Sequence, residues 1–348
     1  MSQREDVSMP LWKSDELDAA VQPFFEAPYF DKSLDAWVVN RYEDVLTVTR
    51  SPSFTVDSKQ PMTSEDENAM VKMREDTLQA LSPAQLRAWS EEILPLIRRR
   101  AAELPEGGPV DLLEAYLYPI CLHLAAVATS IDSKDAAGLR ELATPISAST
   151  AEPYDAALRA EAKAATTQLR PHFHSETETL RDSGFVALSC TLPSLMANAY
   201  FPLLQDSQQW AILHRQPDMT GAAVEELMRY GGLVRFIRRQ AVGDSSLNGA
   251  LIRSGDRLIL RIMAANRDTA RFSHADRLDV CRREGGHLSL GAGPHACAGA
   301  SLIRMAAVAL TRPLVESFAM ANLVEGVEWR GGSGFRTPKT LPVILRRA

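Results

Sequence analysis

The sequence predicts a mainly α-helical protein with a small β region, folded as a single domain over residues 1–348. Apolar residues recur at helical spacing through most of the first 230 residues, and short β-like runs appear only after Gly231. Hydrophobic residues make up 45% of the chain and charged residues 24%, as in globular proteins. Residues 1–30 are expected to be a poorly ordered N-terminal segment.

The first helices follow a strand signal at Trp37, Val38 and Val39. The clearest of them has Leu86, Trp89, Ile93 and Ile97 at helical spacing. The helices predicted in this part of the chain lie at 44–50, at 83–102, at 110–131 with a break near Pro119, at 156–169 and at 217–230.

Residues 183–205 contain no charged side chain. A membrane span needs about 20 mainly apolar residues, so the length alone would suffice. Asn198, Pro193 and Pro202 interrupt the stretch, and they favour a buried central helix of a soluble protein.

The β region is predicted at 251–252 and 257–262, followed by an irregular segment over 264–293. A helix is expected over 298–318, with Pro313 kinking or ending it. The chain closes on a predicted strand at 341–345.

Charge and cysteine content exclude several classes of protein. The net charge of −6 argues against nucleic acid as a partner. Four scattered cysteines are too few for a disulfide framework, so we expect them to be reduced and the protein to be cytoplasmic. The N-terminus has no apolar segment typical of a secretory signal.

The segment with the clearest chemistry is 287–304, which reads HLSLGAGPHACAGASLIR. Cys297 precedes a predicted helix, and Gly291, Gly293 and Gly299 surround it. Glycine lets the backbone approach a flat ligand closely, and a helix N-terminus favours a thiolate. This combination suits axial ligation of haem iron.

Three other interpretations of this segment remain open at this point. Cys297 would also suit a buried structural thiol. Cys281, His287, His295 and Cys297 would suit a zinc site, although their spacing is not the usual one. The glycines would also suit a phosphate-binding loop, although the run lacks G-x-G-x-x-G.

LGAGPHACAG resembles the haem-binding loop of the cytochrome P450 family, F-G-x-G-x-H-x-C-x-G, with Leu290 in place of Phe. The resemblance implies the P450 fold and haem b, with Cys297 as the axial thiolate and metal ligand. Leu290, Gly293 and Gly299 would belong to the haem-binding loop.

Glu226 and Arg229 match the family's E-x-x-R helix, and two charged residues three apart share a helix face. The resemblance assigns the third member of this structural triad to Arg277. His295 and Arg239 would bind the haem propionates.

A further propionate contact, by Arg74, is implied from a helix over the haem edge. There the residue four positions earlier is Met70 rather than the family's His.

The family's central helix carries A-G-x-acid-Thr over the oxygen site. Counting back from Glu226 places Thr191 on the alcohol, Cys190 on the acid and Leu188 on the glycine. A thiol is a poor proton relay and Leu188 would crowd the oxygen side, so we expect weakened oxygen activation. The alternative is that Cys190 and Leu188 are ordinary core residues.

Val234, Arg235 and Phe335 are predicted to line the substrate pocket, with Arg235 either meeting an anionic substrate or lying at the surface. The stretches from Phe54 to Met70 and from 131 to 184 are shorter than in the family. We therefore expect shortened lid regions and an open distal face, which a carrier or partner protein would close.

The leading functional hypothesis is a haem-thiolate oxidoreductase that modifies a small molecule of secondary metabolism, such as an antibiotic intermediate, by O₂-dependent monooxygenation. Its electrons would come from a ferredoxin or flavodoxin docked on surface arginines. The arginines considered for this surface are Arg74, Arg282, Arg283 and Arg304.

Two alternatives follow from the altered distal helix. One is a haem-thiolate enzyme with peroxide-driven oxidation, cyclisation or rearrangement. The other is a non-catalytic haem-binding accessory protein. Neither nucleic acid nor a membrane is expected as a partner.

Overall fold

A computed structural model describes residues 26–56, 64–152, 155–173, 180–330 and 334–347, together with Phe24 and Gly332. Most of the predicted poorly ordered segment 1–30, and residues 57–63 of the predicted shortened lid, lie outside the described residues. The chain divides into two compact units. The Cys-loop unit comprises the described parts of Met1–Asn68, Val234–Arg277 and Gly286–Cys297, and the helical unit comprises those of Ala69–Leu233, Leu278–Gly285 and Ala298–Ala348.

Helices dominate the described residues. The α-helices are α1 (Tyr42–Arg50), α2 (Ser64–Ala80), α3 (Pro83–Glu103), α4 (Tyr118–Thr129), α5 (Ser133–Ala151), α6 (Ala156–Leu169), α7 (Asp182–Val186), α8 (Leu192–Gln205), α9 (Ser207–Arg215), α10 (Thr220–Tyr230), α11 (Ile262–Ala265) and α12 (Ala300–Ser317). Two π-helical turns lie at Leu113–Leu117 and Ala187–Thr191, and 3₁₀ turns lie at Arg170–His172, Pro217–Met219 and Gly293–His295.

The strands are short. They are β1 (Tyr29–Asp31), β2 (Ala36–Val39), β3 (Phe54–Val56), β4 (Pro109–Asp111), β5 (Ile237–Ala241), β6 (Ser245–Leu247), β7 (Ala250–Ile252), β8 (Arg257–Leu260), β9 (Met320–Leu323), β10 (Trp329–Arg330), β11 (Thr337–Pro338) and β12 (Pro342–Arg346).

The Cys-loop unit is built on a sheet of order β1-β2-β8-β5-β3, beside a β6–β7 hairpin. β2 and β8 run parallel, with Trp37 opposite Leu258, and the other pairs are antiparallel. The core of this unit holds Val45 of α1 and also Leu288, which is 3% exposed. Because Leu288 is fixed in this core, the loop that follows it starts from a rigid point.

The helical unit packs α3 and α10 against α12, α8 against α10, and α5 against α6. Its sheets have the orders β4-β12-β9 and β10-β11. The Tyr116 hydroxyl donates to the Leu310 carbonyl at 2.7 Å, and the Trp210 indole donates to the Phe318 carbonyl at 2.9 Å. These buried bonds satisfy polar groups that would otherwise cost free energy in the core.

Local sequence signals explain where several helices begin. Ser82 caps α3 by accepting from the Gln85 amide at 3.2 Å, and Pro83 occupies the first helical position. Asp155 caps α6 by accepting from two backbone amides. The predicted starts at 83 and 156 are confirmed.

Other boundaries depart from the prediction. Pro313 does not end α12, which continues to Ser317, since a proline removes a single ladder bond and the surrounding packing holds the helix. The predicted helix over 110–131 is instead a strand, a π turn and α4. α5 was not predicted.

The uncharged stretch predicted as a buried central helix spans α7, the π turn and α8. Residues Asp182–Gln205 are long and apolar enough to cross a membrane, but 72% of that window is buried inside the protein. A second candidate exists only if two helices bent by 104° are counted as one span. Burial of this kind is what the core helix of a globular protein shows.

Candidate active site

The Cys loop, residues 290–299, is held by backbone hydrogen bonds to its own chain. The Cys297 amide donates to the Leu290 carbonyl at 2.8 Å, and the Gly291 amide donates to the Leu288 carbonyl at 2.8 Å. These bonds fold the loop back on itself. The backbone of Cys297 is thereby fixed relative to the core of its unit.

Two of the three predicted glycines adopt the left-handed conformation. Gly291 has a φ of 73° and Gly293 a φ of 70°, which favour glycine. A Cβ at Gly293 would also collide with the Thr49 carbonyl oxygen. Gly299, with a φ of −81°, does not need glycine for its backbone angles.

A buried asparagine supports the Cys loop through side-chain hydrogen bonds to the residues that precede it. The Asn266 side chain accepts from the Leu288 amide at 2.7 Å and donates to the Ser289 hydroxyl at 2.8 Å. Asn266 is 1% exposed. The sequence did not predict this role for Asn266.

Among the four cysteines, which no disulfide joins, Cys297 differs in its surroundings. Cys121 and Cys190 are buried, and burial raises the pKa of both thiols. Cys281 is exposed, whereas Cys297 is partly exposed on the Cys loop. In the described part of the chain no three His, Cys, Asp or Glu side chains gather to hold a metal ion, so the zinc interpretation is not supported.

Arg239 of β5 carries a buried positive charge. It is 6% exposed, and burial lowers its pKa. Its Nη1 donates to the Arg238 carbonyl at 2.7 Å, while its Nε has no hydrogen-bond partner among the described residues. A buried charge is costly unless it is paired, so this side chain fits a ligand that brings its own anion.

The residues present therefore fit haem. Cys297 supplies a partly exposed thiol on a glycine-containing loop, which can ligate the haem iron. Arg239, in the same Cys-loop unit, supplies a buried guanidinium whose charge a haem propionate can balance. His295 is exposed on the 3₁₀ turn of the same loop. Arg74 is half-buried on α2 of the helical unit.

Two members of the predicted triad, Glu226 and Arg229, form a buried ion pair, and Arg282 joins them. Arg229 grips the Glu226 carboxylate twice, at 2.6 and 2.9 Å, and Arg282 donates to it at 2.9 Å. The Asp279 amide donates to the same carboxylate at 2.9 Å. Arg282 is thus a partner of Glu226 that the sequence did not predict, while the place of Arg277 in the triad stays a prediction.

Burial makes this network important for folding. The side chains of Glu226 and Arg229 are each 1% exposed, and that of Arg282 is 4% exposed. Arg282 also pairs with Glu284 at 2.6 Å, so its predicted role in docking an electron donor is wrong. Arg304 pairs with Glu225 at 2.8 Å and remains partly exposed.

The distal helix contains a π-helical turn at Ala187–Thr191, between α7 and α8. The Leu192 amide reaches the Ala187 carbonyl, one residue beyond the usual partner. Pro193 follows and has no amide hydrogen to donate. Such turns shift the helix register by one residue and are frequent at functional sites.

A cavity of about 270 Å³ lies beside this turn within the helical unit. It brings together three residues predicted from sequence, Cys190, Thr191 and Phe335. Leu188 is 2% exposed and is not among the lining residues. The other lining residues are Tyr118, Arg140, Thr144, Ser147, Ala148, Ala151, Glu152, Leu158, Ser194, Leu233, Arg330 and Thr337.

Cys190 keeps its proton at neutral pH. Burial raises the pKa of its thiol, and the hydrogen bond with Ser189 and the charge of Arg140 oppose this only in part. The Cys190 sulfur lies 3.6 Å from the Ser189 hydroxyl. The position predicted to replace the family's acid is therefore a neutral thiol.

Val234 and Arg235, the other predicted pocket residues, belong to the Cys-loop unit. Arg235 is 5% exposed, so the surface alternative is wrong. Burial lowers the pKa of nearby Arg261 to about 10, with Arg235 adding to the effect and Tyr29 opposing it. Arg261 was not singled out from the sequence, because a lone arginine in a strand usually points to solvent.

The comparisons with known proteins agree with this geometry. A family model described as Cytochrome P450 matches residues 209–327, the range that contains Glu226, Arg229 and Cys297. Together with relatives that align along most of the chain, this match supports membership of the cytochrome P450 family. Members of this family bind haem b through a cysteine thiolate, as the sequence predicted.

Curated P450 relatives match to different extents. The biotin biosynthesis cytochrome P450 of Bacillus subtilis is 37% identical over 44% of this chain, but the alignment spans only 40% of that relative's length. Nocardicin C N-oxygenase of Nocardia uniformis is 27% identical over 89% of both chains. The polyketide biosynthesis cytochrome P450 PksS of Bacillus subtilis is 24% identical over 93% of this chain and 92% of its own.

Solved P450 structures share the fold. P450BioI, in complex with an acyl carrier protein ligated to hexadec-9Z-enoic acid, superposes with a TM-score of 0.82 and 22% identity, covering 92% of this chain and 96% of its own. CYP164A2 of Mycobacterium smegmatis gives 0.82 with 21% identity, covering 94% and 96%. The mainly α fold with small sheets is confirmed, and an oxidoreductase activity is supported.

Proposed function

We propose that this P450 is a monooxygenase of a small molecule from secondary metabolism, with Cys297 as the axial thiolate of its haem. The observation that carries the proposal is the combination of the Cys loop with the uncompensated buried Arg239 in one unit. Relatives named for nocardicin and polyketide biosynthesis support the class of substrate.

Haem bound through a thiolate supplies the means of inserting an oxygen atom into a substrate bond. In that reaction a C–H bond becomes C–OH, and the second oxygen atom leaves as water. Two electrons and two protons are consumed, and the electrons come from a ferredoxin or flavodoxin.

The chain's residues position the haem. Cys297 provides the ligand, and its backbone is fixed by the hydrogen bond to Leu290. Arg239 and His295 are assigned to the propionates, and we assign Arg74 to the same task. A guanidinium and a carboxylate in a dry pocket form a strong, charge-assisted contact, which would stabilise the buried charge of Arg239.

The residues of the π turn would control protons at the reacting end of the substrate. Thr191 offers a hydroxyl to the cavity. The neutral Cys190 thiol has no charge with which to organise a proton relay. Proton delivery therefore falls to Thr191, to water or to the substrate itself, and the oxygen-dependent reaction should be poorly coupled to electron transfer.

The same observation favours a second candidate, oxidation driven by peroxide. Hydrogen peroxide already contains the two electrons and two protons that O₂ would have to receive, so one oxygen atom enters the substrate, the other leaves as water, and the missing acid matters less. Redox-neutral cyclisation or rearrangement belongs to this second candidate, and a non-catalytic accessory role is the outcome if neither reaction occurs.

Partners follow from the reaction class. An electron donor is required for the O₂-dependent reaction, and Arg283 and Arg304 are the surface arginines left for docking an acidic protein. A carrier protein closing the predicted open distal face is supported by the complex of P450BioI with an acyl carrier protein. We place the protein in the cytoplasm on the basis of its P450 relatives.

Two measurements on purified protein test the proposal. The reduced protein under CO should show the red-shifted band of a thiolate-ligated haem. A screen of small acids and polyketide-like compounds should then give oxidised product with ferredoxin, its reductase and NADPH. Product formed only with hydrogen peroxide would support the second candidate, and absence of the CO band would overturn both.

A further inference from the structure

Two arginine side chains line the cavity beside the π turn, whereas the oxidation of a neutral hydrocarbon needs no positive charge in its binding site. Arg140 of α5 and Arg330 of β10 line it, and Glu152 is the one acidic lining residue. The apolar part of the wall includes Leu233 and Phe335. The cavity therefore combines an apolar surface with a cationic one.

Arg140 is held in place without a carboxylate. Its guanidinium carbon lies 3.9 Å from the centroid of the Tyr118 ring, a stacking contact that fixes the plane of the guanidinium group. Its Nε is shielded from solvent and has no hydrogen-bond partner among the described residues. No ion pair to Arg140 occurs in the described part of the chain.

The neighbours of Arg140 also suit an anion. Burial raises the pKa of Tyr118, while the charges of Arg140 and Arg330 oppose the rise, so both cations act at the Tyr118 hydroxyl. The hydroxyl stays protonated at neutral pH and can donate a hydrogen bond. Cys190, which also lines the cavity, is likewise neutral, so it adds no repulsion for a negative ligand.

We propose that this cavity takes a small molecule with an apolar body and one anionic group, a carboxylate or a phosphate, received by Arg140 and the Tyr118 hydroxyl. The inference rests on the proposed function only where it identifies this ligand as the substrate. The volume of about 270 Å³ is at the small end of ligand pockets, which typically hold about 300–1,000 Å³. Arginine suits the task because its planar fork matches both anions.

Titration calorimetry on the haem-loaded protein tests the inference with three probes of equal chain length: octanoate, octyl phosphate and octan-1-ol. Hydrogen bonds to charged groups should make at least one anion bind about 10- to 100-fold more tightly than the alcohol. The comparison of octanoate with octyl phosphate identifies which anion the site prefers.

Variants assign the preference to one side chain. Arg140→Gln should remove it, Arg140→Lys should keep part of it, and Arg98→Gln, the same charge change on an exposed face of α3, should leave it intact. The inference is overturned if wild-type protein binds all three probes equally or binds none. It is also overturned if the preference survives in a folded Arg140→Gln variant.

The CO band of each sample separates this result from the proposed function. A normal band without an anion preference refutes the anion site alone. An anion preference in protein that lacks the thiolate band refutes the proposed function alone, because the calorimetric signal needs no electron transfer.

Discussion

The Cys loop and the π turn of the distal helix are the two regions on which P450 chemistry depends, and they differ in how the sequence specifies them. In the Cys loop, left-handed backbone angles at Gly291 and Gly293 are met by glycine at those positions. In the π turn, Cys190 stands where the family resemblance predicts an acid, and the helix ladder is shifted by one residue. The loop predicted to bind haem follows the family pattern, whereas the turn predicted to govern oxygen activation departs from it.

The difference suggests that binding of haem and activation of oxygen are separable in this protein. The Cys loop depends on Asn266 and on the core residue Leu288 within its own unit. The π turn depends on contacts between helices, and its residues Cys190 and Thr191 line the neighbouring cavity. Three sets of substitutions, each with its control, break or sharpen this comparison.

The largest effect is expected from Cys297→Ser. Loss of the thiolate should abolish the red-shifted ferrous–CO band, since no other side chain is proposed to ligate the iron from that loop. Cys281→Ser, at the exposed thiol, should leave the band nearly unchanged. Retention of the band in Cys297→Ser would show that the ligand has been misassigned.

The next effect concerns the buried network that the helical unit builds around Glu226. Glu226→Ala leaves Arg229 and Arg282 as buried charges without their carboxylate, which should cost about 3–5 kcal/mol of folding free energy. This is a large part of the roughly 5–15 kcal/mol that stabilises a domain. Thermal or urea unfolding of haem-loaded protein measures the loss.

Glu225→Ala provides the matched control at the neighbouring position. Glu225 pairs with Arg304, and both side chains are at least 32% exposed, so its loss should cost about 0–1 kcal/mol. Equal stabilities of the two variants would contradict the structural role of the triad. Arg282→Ala should also lower the stability, because it removes the second arginine that pairs with the buried Glu226 carboxylate.

The smallest effect is expected from a substitution in the π turn. Cys190→Asp restores a carboxylate, and the nearby charge of Arg140 favours its ionised form. A positioned acid or base is typically worth about 10²–10⁴-fold in rate, so the yield of oxidised product per NADPH consumed should rise. Cys190→Ser controls for loss of the thiol, and adding Leu188→Gly tests whether crowding also limits the reaction.

If wild-type protein already forms nearly one molecule of oxidised product for each NADPH consumed, the inference from Cys190 fails. The ordinary monooxygenase reaction would then proceed with protons from Thr191, water or the substrate. Unchanged coupling in a folded Cys190→Asp variant would lead to the same conclusion.

The Cys loop could be predicted from the sequence because its glycines, His295 and Cys297 form one short run. The left-handed backbone angles in that run favour glycine locally, without help from distant residues. The sequence specified α3 and α6 for a similar reason, since Ser82 and Asp155 cap them within a few residues. It did not specify the contact of Arg282 with Glu226, because the three-dimensional course of the segment after Leu278 brings that arginine to the carboxylate.

The cavity residues could not be predicted from the sequence for a related reason. Arg140 and Tyr118 lie on different helices, and nothing in their local sequence sets them apart from surface or core residues. Leu188 was placed at the oxygen site by counting residues along a regular helix. The π turn makes such counting unsafe, because it adds a residue to one turn.

The parallel pairing of β2 with β8 has a consequence for synthesis on the ribosome. Trp37 lies opposite Leu258, so the central strand pair waits for more than two hundred further residues to be made. At about 5–20 residues per second, that wait lasts roughly 10–40 s. Throughout it the apolar face of β2 has no β8 to pair with, and Cys297, the last residue of that unit, emerges later still. Newly made chains should therefore need chaperone protection early, and they should acquire haem only after Cys297 has been made.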